Sequence, residues 1–442
     1  MLSQFQKKHA IIIGGSIAGL VAARILLKHF EHVTIIERDH YPQEPIFRPG
    51  IPQGRQIHTT LLRGQRVFEQ LFPGLAAKLL AHGAIERDYG NESLYYYRGL
   101  CPRIPPVLHG WNCSRLLLEW QIRQELNAYS QLEVMEGHEV THLLFEEHSN
   151  TVIGVQMRSR SLPNSTLQDL LADLIVDASG SNSRASKWLE DLGYDAPEEE
   201  VVRVDLGYAT RFYEPHTDFK PEWKGIAIQA GSQPPRGGML MEVEGRCWMV
   251  VLSGTNGDYP PTEDKAFLEF VRSLPSPALH DAIKNATPSS KIYGYRYAEN
   301  CFRHFEKLQR QPDGFIVIGD AVCNFNPIYG QGMTVAALEA LTLDACLQKG
   351  MQKGFAHMFQ KKVARVLAMP WMLATGADRR DSQVQTRGLL SNLTRSYMDA
   401  LIAQLPNDPA LFLTFLEVVH MLRHPGVLFS PQVVLRVLAR KR

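Results

Sequence analysis

The sequence predicts an α/β protein in which a parallel-sheet unit is interrupted by a mostly antiparallel sheet and followed by a helical region. The apolar run Ala10–Ile13, the helical-period segment Ala18–His29 and the apolar run Val33–Glu37 read as strand, helix and strand. Between about residues 200 and 297, short β-like runs alternate with Gly/Pro turns. The remainder, residues 351–442, has a helical pattern.

The elements expected before residue 200 follow from apolar periodicity and from the turn residues that bound each run. They are the strands Ala10–Ile13 and Val33–Glu37, helices Leu61–Leu71 and Leu75–His82, a helix from Arg115 to about Tyr129 capped by Ser114, strand Leu132–Glu136, the hairpin Val140–Glu146 with Val152–Arg158, strand Ala172–Val176 and a helix near Arg184–Leu192.

The β-like runs after residue 200 are Val202–Tyr213, Gly225–Ala230, Met239–Val243 and Trp248–Ser253, and a buried strand Phe315–Ile318 then leads to a helix from about Gly330 to Lys349. We therefore expect four segments. Residues 1–200 and 298–350 form the two parts of the parallel-sheet unit, residues 201–297 form the inserted sheet, and residues 351–442 form the helical C-terminal region.

The composition excludes several classes of protein. Hydrophobic residues make up 45% and charged residues 21% of the 442 residues, which is typical of a globular chain and not of a disordered one. The 47 Lys and Arg against 46 Asp and Glu give a net charge of +1, so we expect no nucleic-acid partner. The six cysteines contain no C-x-x-C pair, which fits a reducing cytoplasm.

The N-terminal segment permits a second interpretation. Lys7 and Lys8 before the apolar run Ala10–Ala23 resemble the start of a signal peptide. The pair Gly14-Gly15 inside the run is a poor apolar helix core, and the strand Val33–Glu37 needs Ala10–Ile13 beside it. We therefore predict a cytoplasmic protein. No run approaches the roughly 18 apolar residues that a membrane span requires.

A glycine-rich turn joins the first strand to the first helix. The segment Gly14-Gly15-Ser16-Ile17-Ala18-Gly19 follows the dinucleotide fingerprint G-x-G-x-x-G, with Ser16 in the second glycine position. Gly14 allows the tight turn, Gly19 allows helix and strand to pack closely, and the helix N-terminus directs N–H groups at a pyrophosphate. The Ser16 hydroxyl can donate a hydrogen bond to that phosphate.

Glu37 ends the second strand, at about the ~20-residue distance expected after the fingerprint. A carboxylate there accepts hydrogen bonds from ribose hydroxyls and repels a 2′-phosphate. The setting therefore predicts a Rossmann-like dinucleotide-binding unit. A glycine turn selected only for packing is the alternative.

A second glycine-rich turn follows the buried strand near residue 318. It comprises Gly319-Asp320, then Pro327-Ile328-Tyr329-Gly330-Gln331-Gly332-Met333 at the start of a long helix. Asp320 can bind polyol hydroxyls, and the helix N-terminus can stabilise partial negative charge on a ring oxygen. A capping role for Asp320 is the alternative.

Together, the two turns resemble those of the FAD-dependent aromatic-hydroxylase-like monooxygenases. The chain is most similar to the branch that epoxidises olefins of polyketide or terpenoid precursors, with squalene-epoxidase-like chemistry. The resemblance spans nearly the whole chain through Arg48–His58, Phe72-Pro73-Gly74, Asp177–Arg184, Arg296 and Gly319–Met333.

The resemblance implies which residues hold FAD. The pyrophosphate would be held by Gly14, Gly15, Ser16, Ala18 and Gly19, and the adenosine ribose by Glu37. The adenine would be flanked by Arg38 and Val140, and Arg115 would reach the flavin from a second side. Asp320 would bind the ribitol or pyrophosphate, and the isoalloxazine would be lined by Pro327, Gly330, Gln331, Gly332 and Met333. Arg48 and Arg55 are candidate supporting residues, each with a surface salt bridge as the alternative. His58 is expected to be structural.

The resemblance also implies the reaction, in which one oxygen atom passes from a flavin C4a-hydroperoxide to an apolar olefinic or aromatic substrate. The expected partners are O₂, a small apolar organic substrate in secondary metabolism, and NADPH or NADH as reductant. The chain has no clear G-x-S-x-G or H-E-x-x-H motif, so no amino-acid nucleophile and no metal site are predicted.

The chain departs from the aromatic hydroxylases at two places. The segment Asp177–Arg184 lacks their Asp-Gly pair, which leaves the docking of the reductant open and permits a separate reductase. Val322-Cys323 stand where those hydroxylases often have a histidine, which favours the epoxidase-like branch.

Other functions remain open. They are a flavin-dependent reductase of prenyl or polyene chains, a flavin-free prenyl-protein-binding scaffold and, less favoured because no W-x-W-x-I-P segment occurs, a halogenase. Trp248 with Met239, Met241 and Met249 forms either an apolar roof over the flavin or ordinary sheet core. The tail Val433–Arg442 is apolar and then basic, so peripheral membrane contact is possible but not favoured over a solvated helix end.

Overall fold

The computed structural model describes residues 8–161, 166–230, 235–381 and 389–439. Strands and helices are numbered here in chain order. Lys7 and the basic tail residues Arg440, Lys441 and Arg442, which entered the expectations above, lie outside the described residues.

The strands are β1 (His9–Ile13), β2 (His32–Glu37), β3 (Ile85–Asp88), β4 (Ser93–Tyr96), β5 (His109–Asn112), β6 (Leu132–Glu136), β7 (His138–Glu146), β8 (Thr151–Ser159), β9 (Gln168–Leu171), β10 (Leu174–Asp177), β11 (Glu199–Glu214), β12 (Gly225–Ile228), β13 (Arg236–Val243), β14 (Cys247–Thr255), β15 (Thr287–Pro288), β16 (Tyr293–Arg303), β17 (Phe315–Val317) and β18 (Cys323–Asn324). The helices are α1 (Ile17–Leu26), α2 (Leu62–Leu71), α3 (Leu75–Ala81), α4 (Arg115–Leu126), α5 (Ala185–Asp191), α6 (Asp264–Arg272), α7 (Ala278–Ile283), α8 (Gly332–Leu347), α9 (Phe355–Asp381), α10 (Leu389–Gln404), α11 (Pro409–Val419) and α12 (Pro431–Ala439).

A five-stranded parallel sheet forms the centre of the first unit, in the order β17-β10-β1-β2-β6. Its central strands are continuous apolar runs because helices cover both faces, and Ile11 and Ile12 are fully buried. Helix α1 packs against α4 and α8. The carboxyl ends of β1, β10 and β17 therefore meet at one edge, where ligands bind in open α/β sheets.

A large, mostly antiparallel sheet runs in the order β18-β16-β11-β14-β13-β12-β4, with β15 paired to β11. Its outer face carries Trp248, Val250 and Leu252, which form a core with α6 and α7. Strand β4 comes from before residue 200 and pairs in parallel with β12.

Glu244, in the turn between β13 and β14, connects this sheet to the first unit. The Ser114 backbone N–H donates to Glu244 Oε2 at 2.8 Å, and the Ser114 hydroxyl donates to Glu244 Oε1. Ser114 is the N-cap of α4, and its Oγ accepts from the Leu117 N–H at 3.1 Å. The inserted sheet thus holds the first turn of the helix that carries Arg115.

Helices α10, α11 and α12 pack on Tyr95 and the segment around Ile104, forming a separate apolar core. Within the described ranges, no helix is both long enough and apolar enough to span a bilayer.

The α/β fold class expected from the sequence is confirmed. The strand–helix–strand start, the N-cap at Ser114 and the antiparallel sheet are found, whereas α6, α7 and the whole of strand β16 were not expected. Helix α6 follows from the apolar positions Phe267, Phe270 and Val271, which recur at helical spacing and cover the outer sheet face. Leu279 and Ile283 of α7 cover the same face.

Candidate functional site

The first glycine turn has the geometry of a dinucleotide loop. Gly14 has φ +95°, and a Cβ there would lie 2.7 Å from the Ala178 carbonyl oxygen. A Cβ on Gly19 would lie 1.9 Å from the Gly14 oxygen. Both positions therefore require glycine, the first for its backbone angle and the second for close packing of α1 on β1.

The N-terminus of α1 is open. Gly14, Ser16 and Ala18 keep accessible surface, while Gly15 and Ile17 between them are buried. Ser16 occupies the N-cap position, but its side chain makes no capping hydrogen bond. Its hydroxyl instead donates to Glu119 Oε2 at 2.8 Å and accepts from Arg115 at 2.8 Å. The first-turn N–H groups therefore remain available for an anion.

Glu37 is buried against the glycine turn. Its Oε2 accepts from the Gly15 N–H at 2.8 Å and its Oε1 accepts from the Asp39 N–H at 3.0 Å. Tyr41 lies over the same turn, where its hydroxyl donates to the Gly15 oxygen at 2.6 Å. The carboxylate predicted to bind ribose thus also fixes the turn itself.

Arg48 is the centre of a buried ion cluster. Its guanidinium contacts Asp39 at 2.9 Å, Glu119 at 3.0 Å and Glu37 at 3.3 Å. Burial lowers the Arg48 pKa, but the Glu119 and Glu37 charges outweigh it and hold that pKa above its ordinary value. The loop containing Arg48 is therefore held against α4 and the glycine turn by a buried cluster and not by a surface salt bridge.

Arg115 connects the two halves of the site. Burial lowers its pKa, and the Glu119 and Asp320 charges oppose that shift. His58 Nε2 lies 3.3 Å from Arg115, and His58 Nδ1 lies 2.9 Å from the Gln56 oxygen. Because the guanidinium can only donate, we assign the His58 proton to Nδ1. Burial lowers the His58 pKa to about 3, so the imidazole is neutral, and the structural role expected for His58 stays a prediction.

The second glycine turn meets the first. Gly319 has φ +64°, and a Cβ there would lie 2.8 Å from the Ala18 Cβ, so the two motifs are in contact. The Asp320 side chain reaches solvent although protein surrounds it, as expected for a residue that lines a deep cleft. Burial raises the Asp320 pKa, and Arg115 opposes the shift. Asp320 and Arg115 therefore face the same cleft.

The segment after Asp320 shapes the far end of the cleft. Gly330 has φ +62° beside the Thr59 carbonyl, and a Cβ on Gly332 would lie 3.9 Å from Asp320 Oδ1 with nothing closer. Gln331, the N-cap of α8, makes no capping hydrogen bond, and its buried Oε1 has no partner among the residues that the structure describes. Pro327 begins the preceding turn and Met333 is buried in the first turn of α8.

Three other candidates lie further out. Arg38 is exposed and donates to the Gly50 oxygen at 3.2 Å. Val140 is buried in β7, opposite Met157 of β8. Arg55 lies against the large sheet, stacked on Phe47 and Tyr293.

These residues fit FAD. Two helix N-termini without side-chain caps, those of α1 and α8, open onto one cleft edge, and Gly332 leaves room beside the Asp320 carboxylate. The α1 terminus and Arg115 can bind a diphosphate, Asp320 can accept from polyol hydroxyls, and the α8 terminus can stabilise charge on a ring oxygen. FAD, when bound, supplies the redox chemistry with O₂, and the chain supplies position and exclusion of water.

Several residues of this site were not anticipated from the sequence. Glu119 and Asp39 complete the Arg48 cluster, Tyr41 covers Gly15, and Glu339 lies behind Asp320. Glu119 carries a readable signal, because it follows Arg115 by four residues on one predicted helix face. The contacts of Asp39, Tyr41 and Glu339 arise only from tertiary packing.

The inner face of the large sheet covers the cleft. Strand register places Tyr208, Tyr295, Val251 and Met239 on this face, opposite to the face that carries Trp248. Met241 and Met249 share the inner face but are buried against Ile57, whereas Met239 and Val251 are half-buried. Met239 can therefore cover the cleft, whereas Met241 and Met249 belong to a buried core. Trp248 does not cover the cleft, because it packs on the outer face of the sheet.

The fold and the site define a flavin-binding oxidoreductase whose second sheet covers the cofactor cleft. The sequence profile of the FAD binding domain family matches residues 7–356. The chain belongs to that family, the FAD-dependent superfamily of hydroxylases, halogenases and related monooxygenases, and is an FAD-dependent monooxygenase.

Three similar proteins illustrate the range of the superfamily. Protein Rv3254 of Mycobacterium tuberculosis is 30% identical over 377 residues, covering 83% of this chain and 79% of that protein. Kynurenine 3-monooxygenase of Sus scrofa is 23% identical over 369 residues, covering 78% and 70%. The structure of the flavin-dependent brominase Bmp2 covers 94% of this chain and 100% of its own at a TM-score of 0.62 and 17% identity.

Proposed function

We propose that the enzyme uses FAD to transfer one oxygen atom from O₂ to an apolar olefinic or aromatic substrate, by epoxidation or hydroxylation, as in secondary metabolism. The observation that carries this proposal is the sheet face above the cleft. Leu206, Tyr208, Thr210 and Phe212 of β11 face inward with Met239 and Val251, and none of these side chains is charged. An uncharged wall favours binding of an apolar substrate and excludes water from the reaction site.

The inner-face contacts support a chamber close to the flavin end of the cleft. The Tyr208 hydroxyl donates to Asn326 Oδ1 at 3.1 Å, one residue before Pro327. Burial and the Asp320 charge raise the pKa of Tyr295, which pairs with Tyr208 across the sheet. The wall therefore ends at the residues proposed to hold the ring and ribitol of FAD.

The test is oxygen transfer by the FAD-loaded enzyme. The flavin is reduced anaerobically with NADPH or NADH and exposed to ¹⁸O₂ with polyene and aromatic candidates, and products are examined by mass spectrometry. A gain of one labelled oxygen atom supports the proposal. A gain of two hydrogen atoms without O₂ would support a prenyl reductase instead, and bromination in added bromide would support a halogenase, whose fold resembles this one.

A pair of variants tests the wall itself. Met239→Asp places a charge on the half-buried inner face and should retain FAD while oxygen consumption no longer yields product. Met372→Asp, at a side chain that is 55% exposed on α9, is the control and should leave coupling intact. Equal coupling in both variants would remove the wall from the proposed site.

A further inference from the structure

Three aromatic rings meet at one end of the inner sheet face. Phe47 of the loop before the Pro52–Arg55 turn lies 6.2 Å from Phe212 and 6.3 Å from Tyr293, and Phe212 lies 6.3 Å from Tyr293. All three side chains are half-buried, so each keeps accessible surface. We refer to Phe47, Phe212 and Tyr293 as the aromatic triangle.

Two cations lie on this triangle. The Arg55 guanidinium carbon lies 5.1 Å from the Phe47 ring centre and 5.2 Å from that of Tyr293, and Lys291 Nζ lies 5.6 Å from the Tyr293 centre. Neither Arg55 nor Lys291 makes a salt bridge with any residue in the described part of the chain. The buried Arg55 Nε also has no hydrogen-bond partner there.

This arrangement is unusual for the molecule. Arg48 and Arg211 have a carboxylate partner, and Arg87 and Arg123 donate to Ser93 Oγ and to the Pro42 carbonyl, whereas Arg55 forms no ion pair or hydrogen bond within the described part of the chain. Ring contacts stabilise a guanidinium but satisfy none of its N–H donors. A positive charge with an unsatisfied donor, beside apolar rings, matches an anion that carries an apolar body.

The triangle lies next to the proposed chamber. Tyr293 and Tyr295 share one face of β16, two residues or about 7 Å apart, and the pKa of Tyr295 is raised by burial and then by the Asp320 charge. Thr210, opposite Tyr293, donates to Gln56 Oε1 beside Arg55. A molecule anchored at Arg55 would therefore extend along the uncharged wall toward the flavin end.

We propose that Arg55, assisted by Lys291 and the aromatic triangle, binds the carboxylate of the substrate, so that the substrate is an apolar or aromatic acid and not a neutral hydrocarbon. This inference rests on the proposed function for the identity of the bound molecule as substrate. The anion site itself is defined by the contacts above.

The test compares acids with their neutral amides in the FAD-loaded enzyme. Cinnamate, 4-phenylbutyrate and decanoate, each with its primary amide, are titrated against flavin absorbance and fluorescence. At least one acid should bind tenfold or more tightly than its amide, and this preference should weaken as salt increases. Failure of every acid to bind more tightly than its amide, or to bind at all, overturns the proposal.

Variants assign the preference to these side chains. Arg55→Met should bring acid and amide affinities within twofold of each other without changing amide binding, Arg55→Lys should retain part of the preference, and Lys291→Met should weaken acid binding several-fold. Lys220→Met is the matched control, since Lys220 is exposed and follows Phe219, which packs on Trp248 of the outer face. Equal losses for acid and amide in Arg55→Met would show a purely structural role and reject the proposal.

The reductant provides the remaining alternative. If Arg55→Met raises the KM for NADPH but not for NADH, and leaves acid binding unchanged, the two cations bind the 2′-phosphate and the proposal is wrong. Oxygen transfer is measured separately. Acid preference without any oxygenated product would leave the anion site standing and reject the proposed function alone.

Discussion

At the scale of single residues, the site depends on carboxylates that serve two purposes. Glu37 accepts from the N–H groups of Gly15 and Asp39 and also contacts Arg48. It therefore fixes the glycine turn, in addition to the ribose contact that the sequence predicts for it. Asp320 differs, because it has no such internal partner within the described chain and faces the cleft across from Arg115. Asp320 is therefore the cleaner probe of cofactor binding.

We expect Asp320→Ala to weaken FAD binding by about tenfold or more, because buried polar groups of the cofactor lose a partner at a cost of about 1–3 kcal/mol. Fluorescence titration of the apoprotein with FAD measures the change. Asp218→Ala, at a 91% exposed side chain, is the control. An unchanged dissociation constant for Asp320→Ala would remove this residue from the cofactor site.

Glycine spacing and the strand-terminal Glu37 were readable from the sequence because they depend on local backbone geometry. The partners of Arg48 were not, because Asp39 and Glu119 approach it from different elements. The sequence makes Arg55 a candidate supporting residue, but its ring contacts depend on Phe47 and Tyr293, which are far apart in the chain.

At the scale of elements, α8, whose first turn we propose to face FAD, also supports the Asp320 turn. Glu339 on α8 is fully buried, and its Oε2 accepts from the Gly319 N–H at 2.7 Å. Burial raises the Glu339 pKa to about 8, so the carboxyl is protonated near neutral pH. This contact holds the backbone that precedes Asp320.

Glu339→Gln should change how stability depends on pH. The folded-state pKa near 8 lies above the ordinary value of 4.5, so wild type loses stability as pH rises between these values, by about 1.4 kcal/mol per pH unit. The variant lacks this loss, so its free energy of unfolding relative to that of wild type should rise steadily from pH 5 to 8, as measured by urea unfolding. A constant difference between the two proteins across that range would contradict the assignment.

The sequence located most elements because their apolar periods are unambiguous, as in α1 and β2. Strand β16 was not predicted, because its pairing with β11 and β18 depends on residues that are distant in the chain. The division of the chain at residues 200, 297 and 350 stays a prediction.

At the scale of the whole molecule, the C-terminal helices are joined to the first unit through His420. The Leu62 N–H donates to His420 Nδ1 at 3.3 Å, and the imidazole lies 4.5 Å from the Tyr89 ring. Burial, and then the Arg87 charge, lower the His420 pKa to about 3. The joint therefore requires a neutral imidazole.

Acid should weaken the contact between His420 and the first unit. Because the folded-state pKa lies below the ordinary value of 6.5, the stability from neutral His420 is present above pH 6.5 and declines as pH falls toward 3. His420→Gln should reduce the slope of unfolding free energy against pH by about 1.4 kcal/mol per unit between about pH 6 and 4. The exposed His148→Gln is the control, and equal slopes in His420→Gln and wild type would reject the expectation.

The parallel pairing of β4 with β12 has a consequence for how the chain assembles. Ser93 and Gly225 lie side by side although residues 94–224 separate them in sequence, so closing this pair costs considerable chain entropy. Until residues 93–96 pair with it, β12 has an unpaired hydrogen-bonding edge that other chains can bind. We therefore expect slow refolding, during which β12 can pair with other chains until β4 completes the sheet.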